Sequence, residues 1–513
     1  MRALWPWLIV ILLGCSPAPV PQEDEVESEQ ADELTLEVED IIPDPLWDRN
    51  YALQDVWPVL SQPWGGDLND MLERGEIRVL TSFTLGWYYI DQGQPTGLTY
   101  ESTKLFEAYV HQQLGEAAKR LKITVIPVRR DQLIPYLKRG YGDLIFANMT
   151  ITEQRAEQVA FSEPYSQEVR EVLVTGENSE AAADWASALD WTITVRRESS
   201  YYQSLKALNA QRKAQGLKPL TIRLADPRLE DEDLLEMVAA GYLQATVVDE
   251  HKLEVWREVL PQLVVHSALP LRQGGELGIA MRKDSPQLQA LVNDYVKANP
   301  VGSKTVNVLI NRYLRSPVWA GRALERDPFH KAAEYIPLFK KYGEQYDFDW
   351  VLLMAFAFQE SRFDPNARSP VGAVGIMQLM PATARDKRVN INNIEQVENN
   401  IHAGTKYLDV LRSLYFADDA LTEFNRMIFA MAAYNAGPNR INRLRREAAQ
   451  RGLDPNVWFN NVEDLVAAQV GTEPVNYVAN IYRYFVTYKR VLKEREERET
   501  IRGHWQGSSS EGG

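Results

Sequence analysis

Hydrophobic and polar positions change rhythm several times along the chain. Residues 4–14 form an unbroken 11-residue run, LWPWLIVILLG, behind a Met-Arg start. That is too short to span a bilayer, which needs about 20 residues, and it has the layout of a secretory leader ending at Cys15. From residue 16 the apolar positions thin out. Between Glu23 and Asp44 there are eleven Asp/Glu and no Lys or Arg, so residues 16–70 predict an extended, disordered acidic tether. A new texture begins near Glu76. Short apolar runs at Ile77–Thr81, Ile123–Pro127 and Asp143–Ala147 alternate with helical spacing at Tyr100–Leu114 and Gln132–Arg139. The alternation continues through Trp191–Arg196, Tyr201–Gln215, Leu220–Leu224, Asp231–Ala240, Ala245–Asp249, Gly278–Met281 and Pro286–Lys297. Strands interleaved with helices predict an α/β domain over 71–300, in two lobes with a cleft between them.

Residues 301–329 read as a connector. Beyond them strand signals nearly vanish. Ala332–Tyr342, Asp349–Arg362, Pro381–Asp386, Asn400–Leu414, Leu421–Ala436, Arg440–Ala449 and Tyr477–Lys489 all carry helical periodicity. An all-α domain is therefore predicted over 330–490, and the charged, then Ser/Gly-rich, segment 491–513 reads as a disordered tail. The fold class is multidomain, α/β followed by all-α.

Charge and cysteine usage sharpen this picture. The net charge is −15, which disfavours a general nucleic-acid partner. Most of it belongs to the tether, since residues 331–490 hold 19 basic and 18 acidic side chains. A single cysteine excludes internal disulfides and cysteine-based metal sites. No two of the six histidines stand at HxxxH spacing, so neither metal nor cofactor is expected. Leu12-Leu13-Gly14-Cys15 resembles a bacterial lipoprotein box. The resemblance implies a lipidated Cys15, and Ser16 after it implies the periplasmic face of the outer membrane. Two acyl chains suffice for stable anchoring.

Glu360 carries the sharpest chemical signal. It ends a markedly apolar helix, and Asp364-Pro365 stops that helix just beyond. The negative end of the helix dipole and apolar surroundings both disfavour the anion. A carboxyl kept protonated near neutrality suits general-acid cleavage of a glycosidic bond. Asp364, one turn on, is better explained as a turn residue than as a second catalytic carboxylate. Gly372 and Gly375 suggest a tight loop, and Ser369, Gln378, Tyr434 and Asn435 are polar groups suited to a sugar. Glu360-Ser361, Ser369-x-x-Gly-Ala-x-Gly-Ile-Met-Gln-x-Met-Pro-x-Thr383-Ala, Ala433-Tyr-Asn-Ala-Gly437 and a late Tyr477 together resemble the soluble lytic transglycosylases, relatives of goose-type lysozyme. The resemblance implies that Glu360 is the acid/base and that Ser369 positions an N-acetyl group. It further implies that Gln378 and Met380 line a glycan groove, and that Tyr434, Asn435 and Tyr477 contact sugar. The implied partner is peptidoglycan, the implied reaction formation of 1,6-anhydro-muramic ends. A hydrolytic muramidase, or a receptor that grips glycan without cleaving it, stands as the alternative.

In the α/β part, Gly142-Asp143 through Thr150-x-Thr152-x-x-Arg155, followed by Phe161-Ser-Glu-Pro-Tyr165, resembles the polar-amino-acid class of periplasmic solute-binding proteins. The resemblance implies that Thr150 and Arg155 hold a ligand α-carboxylate and that Asp249 meets its α-amino group. It also implies an aromatic wall from Tyr88 and Tyr89 and second-lobe contacts from Ser199 and Ser200. An amino acid or muropeptide is the implied regulatory ligand. The order of leader, solute-binding domain and transglycosylase domain resembles the membrane-bound lytic murein transglycosylase F family over almost the whole chain.

Overall fold

A computed structural model describes residues 63–177, 184, 185, 188, 191–320 and 329–510. The leader, Cys15 and the tether as far as residue 62 lie outside the described residues. The α/β part contributes eleven strands: β1 (Glu76–Thr81), β2 (Tyr89–Asp91), β3 (Gln94–Thr96), β4 (Lys122–Pro127), β5 (Leu144–Thr150), β6 (Ala160–Phe161), β7 (Ser166–Gly176), β8 (Thr192–Val195), β9 (Thr221–Leu224), β10 (Ala245–Asp249) and β11 (Leu263–Met281). The main sheet runs β4-β1-β5-β11-β7-β10-β8-β9, with β6 also on β11. In the first lobe β1 is parallel to both β4 and β5; in the second β8 is parallel to both β10 and β9. The long antiparallel strands β7 and β11 belong to both lobes: β11 pairs with β7 from Leu263 to Leu277 and with β5 from Leu277 to Met281. These are the crossing strands about which the two lobes meet.

Helices cover the sheet, as parallel strands require. Four matter below: α1 (Leu98–Leu114), α2 (Ser200–Ala214), α3 (Asp231–Ala239) and α4 (Pro286–Ala298). The first-lobe core gathers Ile77, Val79, Phe106, Leu144, Met281 and Tyr295. The second-lobe core gathers Leu173, Ile193, Val195, Tyr201 and Val247.

The C-terminal part is helical as the periodicity predicts. Its main helices are α5 (Ile336–Tyr346), α6 (Trp350–Ser361), α7 (Val397–Val410), α8 (Glu423–Ala436), α9 (Pro438–Gln450) and α10 (Thr472–Ser510). Every residue of α6 from Val351 to Phe358 is buried, so α6 is the central helix, and α5 and α10 pack against it.

Two boundaries differ from the sequence reading. Ordered chain already begins ahead of Leu68–Arg74, a helix capped by Asp67, whose carboxylate also accepts from the main-chain N–H groups of Gln287 and Leu288. The segment expected to be a disordered tail instead continues α10 as far as Ser510. Val491 and Ile501 are buried, and Arg498 donates to the Phe83 carbonyl at 2.6 Å. Composition suggested disorder because the segment is mostly charged; helical propagation from Tyr477–Lys489 and the contacts to the α/β part override it.

α10 thus crosses from one part to the other. Tyr488 Oη donates to the Gly93 carbonyl, and Lys122 pairs with Glu463 at 3.1 Å. The β2–β3 hairpin meets α6 at Gly93, whose tight turn has φ +53° at Gln92 and +83° at Gly93. A Cβ at Gly93 would stand 2.8 Å from the Phe363 ring and 3.0 Å from Phe358. Only glycine fits there on both counts.

Candidate active site and interlobe cleft

Glu360 stands in the last turn of α6. The chain leaves the helix through two left-handed residues, Arg362 (φ +58°) and Phe363 (φ +60°), which aim it away sharply. Around Glu360 are Phe356, Tyr434 and Tyr477, with Phe356 edge-on to both tyrosine rings at 4.8 and 6.0 Å. Tyr477, from the first turns of α10, donates its phenolic hydrogen to Glu360 Oε1. Burial pushes the Glu360 carboxyl up to about 7, and the charge of Glu473 adds to the rise; the Tyr477 hydrogen bond opposes it. The rise follows the expected direction, and desolvation is its largest cause.

The loop from Ser361 to Met380 forms one wall. Ser369 Oγ accepts from Ala373 N at 3.0 Å, and Ser369 N donates to the Ala373 carbonyl at 2.9 Å. Gln378, at φ +44°, spends its amide nitrogen on the carbonyls of Ala367 (3.0 Å) and Gly375 (2.8 Å). Its geometry makes it a fastener of the loop. Met380 is exposed at the head of Pro381–Arg385. Tyr434 Oη donates to the Met377 carbonyl at 2.9 Å, and Asn435 Nδ2 donates to Glu473 Oε1 at 2.8 Å. Asp364 serves the turn: its Oδ1 accepts from Asn366 N at 2.9 Å.

One residue that no motif flagged, Asn400, holds this wall together. Asn400, 1% exposed, accepts from Met377 N and donates to the carbonyls of Val374 and Ile394, at 2.8–2.9 Å. Gly375 sits at φ +77°, where a Cβ would be 2.4 Å from Asn400 Nδ2. Ser361 Oγ ties the helix end to the Ile376 carbonyl at 2.8 Å. Asn400 lies on another helix, so nothing local in the sequence marks it.

The interlobe cleft brings together Thr150, Arg155, Ser199, Ser200 and Asp249. Thr150 Oγ1 is 3.5 Å from Ser200 Oγ across the lobes. Arg155 donates from Nη1 to the Thr150 carbonyl and from Nη2 to the Glu198 carbonyl, both at 2.8 Å. Burial lowers its guanidinium to about 10. Ser199 caps α2, accepting from Tyr202 N. Asp249 Oδ2 meets Lys252 Nζ at 3.1 Å and Asn148 Nδ2 at 3.2 Å. Tyr88 and Tyr89 depart from the sequence reading. Tyr88 packs toward α10, its Oη 3.4 Å from Thr487 Oγ1, and Tyr89 packs on Trp319 with ring centroids 5.3 Å apart. The β2–β3 hairpin carries both to the domain seam. The aromatic residues beside Asn148 are Trp87 and Tyr165, which with His251 and Leu277 bound a cavity of about 250 Å³.

Comparison with known proteins agrees with this architecture. Residues 78–315 match the model of bacterial extracellular solute-binding proteins, family 3, and residues 337–456 match the Transglycosylase SLT domain. The chain is similar to the membrane-bound lytic murein transglycosylase F of Desulfosudis oleivorans, 29% identical over 88% of this chain and 94% of the relative. It is 30% identical to that of Aliivibrio fischeri (82% and 84% covered) and 31% identical to that of Shewanella loihica (78% and 83%). An α/β solute-binding domain joined to a helical transglycosylase domain defines a peptidoglycan lytic transglycosylase of two modules. The chain belongs to the membrane-bound lytic murein transglycosylase F family.

Proposed function

We propose that the enzyme cleaves the β-1,4 bond between N-acetylmuramic acid and N-acetylglucosamine and leaves 1,6-anhydro-muramic ends. Glu360, protonated, gives its hydrogen to the glycosidic oxygen as the bond to C1 breaks. The resulting carboxylate takes the hydrogen of the muramic C6 hydroxyl, whose oxygen bonds to C1, and the acid is regenerated without water being consumed. The observation that carries this reading is the carboxyl of Glu360, raised to about 7 and held by Tyr477, because one group must serve as acid and then as base. Asp364 is taken up by its turn and Glu473 by Asn435, which favours the sugar's own hydroxyl over a water activated by a second carboxylate. Mass spectrometry of digested sacculi tests it: products lighter by one water are expected, and reducing muramic ends would establish hydrolysis instead.

The same reading places the enzyme at the periplasmic face of the outer membrane, anchored through Cys15. Cys15→Ala is expected to shift it from the membrane fraction to the soluble fraction. The α/β domain acts as a sensor for an amino acid or muropeptide. A ligand can modulate the helical domain only if it binds one arrangement of the lobes better than another, and the hydrogen bonds of Arg155 and Thr150 across the lobes supply an arrangement that can change. Calorimetry on the full chain with amino acids and muropeptides tests this, and absence of binding removes the sensor role.

A further inference from the structure

The first turns of α10 carry two faces with different surroundings. Tyr477 donates to Glu360, and Glu473 accepts from Asn435. Thr472, Asn476, Asn480 and Arg483 recur every three to four residues, so they share a second face, roughly a quarter of a turn round the helix. That face lines a cavity of about 950 Å³ at the seam between the helical and α/β parts. Its opposite wall is an edge of the first lobe: Glu107 and His111 of α1, with Glu76 and Lys122 at the starts of β1 and β4. None of its lining residues belongs to the site built on Glu360.

The cavity is framed from both sides of the seam. Lys122 pairs with Glu463 at 3.1 Å, and Arg120 pairs with Asp464 at 3.2 Å. Between these ties, Ala467, Ala468 and Ala479 line the helical wall and leave the space open. Sites for small molecules occupy roughly 300–1,000 Å³, so the volume suits a ligand of several rings.

The lining is chemically mixed. It carries five basic and four acidic side chains, so the charges nearly cancel, and a strongly charged ligand of either sign meets groups of its own sign. Phe459 and Tyr482, with ring centroids 5.5 Å apart, add an aromatic surface. Among the described residues, the side chains of His111, Asn476, Asn480 and Arg483 have no hydrogen-bond partner within the protein. Glu107 spends Oε1 on the main-chain N–H of Ile123 at 3.1 Å and keeps Oε2 as an acceptor. The two amides donate and accept, the guanidinium donates, and the carboxylate accepts. A neutral ligand whose own groups donate and accept satisfies this set. Sugar hydroxyls and acetamido groups do both, and the apolar face of a sugar ring covers an aromatic side chain. We propose that the seam cavity is a second glycan site, which holds an amino-sugar strand away from the point of cleavage and bridges α10 to the first lobe. This rests on peptidoglycan glycan as the substrate, and is independent of the anhydro product and of the sensor reading.

Calorimetry tests it on the full chain carrying Glu360→Gln, which cleaves too slowly to interfere, with peptide-free glycan strands as the probe. Two classes of binding are expected. One is expected to weaken at least tenfold when Asn476→Ala and Asn480→Ala are combined, and equally with Ala468→Trp, which fills the cavity from an exposed position; the other is expected to stay unchanged. With Glu360 restored, the same variants are expected to keep kcat/KM on short peptide-free oligosaccharides within twofold and to lose at least threefold on intact sacculi. A single class of binding, or two classes that neither variant alters, overturns the second site. Equal losses on oligosaccharides and sacculi overturn it too, because they place these residues in the cleavage groove. If the double variant melts well below the wild type, Ala468→Trp alone decides. Failure of the wild type to cleave sacculi removes the substrate reading itself, whereas cleavage with a single class of binding removes only the second site.

Discussion

In the proposed mechanism Glu360 concentrates the chemistry of the molecule in one proton. Its carboxyl rises from an ordinary 4.5 to about 7, with burial as the main cause. The protonated form is the reactive one at the start of the cycle, so kcat/KM on isolated glycan strands is expected to fall tenfold per pH unit above about 7. Replacing Tyr477 by Phe removes the hydrogen bond that holds the carboxyl down. The alkaline limb of that profile is then expected to move to higher pH, a shift that simple loss of packing would not produce. Glu360→Gln is expected to lower the rate by at least about 10²-fold. Its stability effect has the opposite sign. The folded pKa lies above the unfolded one, so ionisation destabilises the native state progressively from about pH 4.5 to about pH 7. Glu360→Gln is therefore expected to raise the melting temperature at pH 8 and to leave it unchanged at pH 4, a pattern scanning calorimetry resolves.

At the scale of elements, the active-site wall depends on one asparagine. Asn400→Ala strands Met377 N–H and the carbonyls of Val374 and Ile394 in the interior. A cost of roughly 1–3 kcal/mol is expected in urea unfolding, with activity falling because the wall carrying Ser369 and Gln378 loosens. Glu360, Ser369, Gln378, Tyr434 and Tyr477 were singled out in the sequence because they lie in short motifs, on one loop and three helices. Asn400 was not, because its role exists only after α7 packs on that loop. Tyr88 and Tyr89 were read as an aromatic wall of the cleft and not as seam residues, since the two-residue turn at Gln92-Gly93 decides what their hairpin touches. The continuation of α10 past residue 490 was hidden by its charge. Arg498 finds Glu232 and Asp233 at 3.8 and 3.6 Å, partners about 265 residues away that no local reading supplies.

On the scale of the whole molecule, the two parts share one apolar core. Tyr88, Tyr89 and Ile90 of the α/β part join Phe356, Phe358, Phe363, Phe485 and Tyr488 of the helical part in a single cluster. Units that share a core unfold together. The described chain is therefore expected to melt in one calorimetric transition, despite containing two folds. Polar ties from α10 cross the seam, among them Tyr488 to the Gly93 carbonyl and Arg498 to the Phe83 carbonyl. Gly93→Val drives a branched side chain into the Phe358 and Phe363 rings from a left-handed backbone position, so it attacks the seam without touching either ligand site. The expected outcome is two separated transitions in place of one, the helical part melting at the lower temperature because it loses the hairpin that covers the end of α6. A single transition at a lower temperature would mean that the rest of the shared core suffices to keep the parts cooperative. Phe358 and Phe363 flank Glu360 in sequence, so the same variant is also expected to change the pH limb of activity if the hairpin helps to hold the acid in its dry setting. A limb left at about 7 would show that α6 and Tyr477 set the proton affinity of Glu360 by themselves.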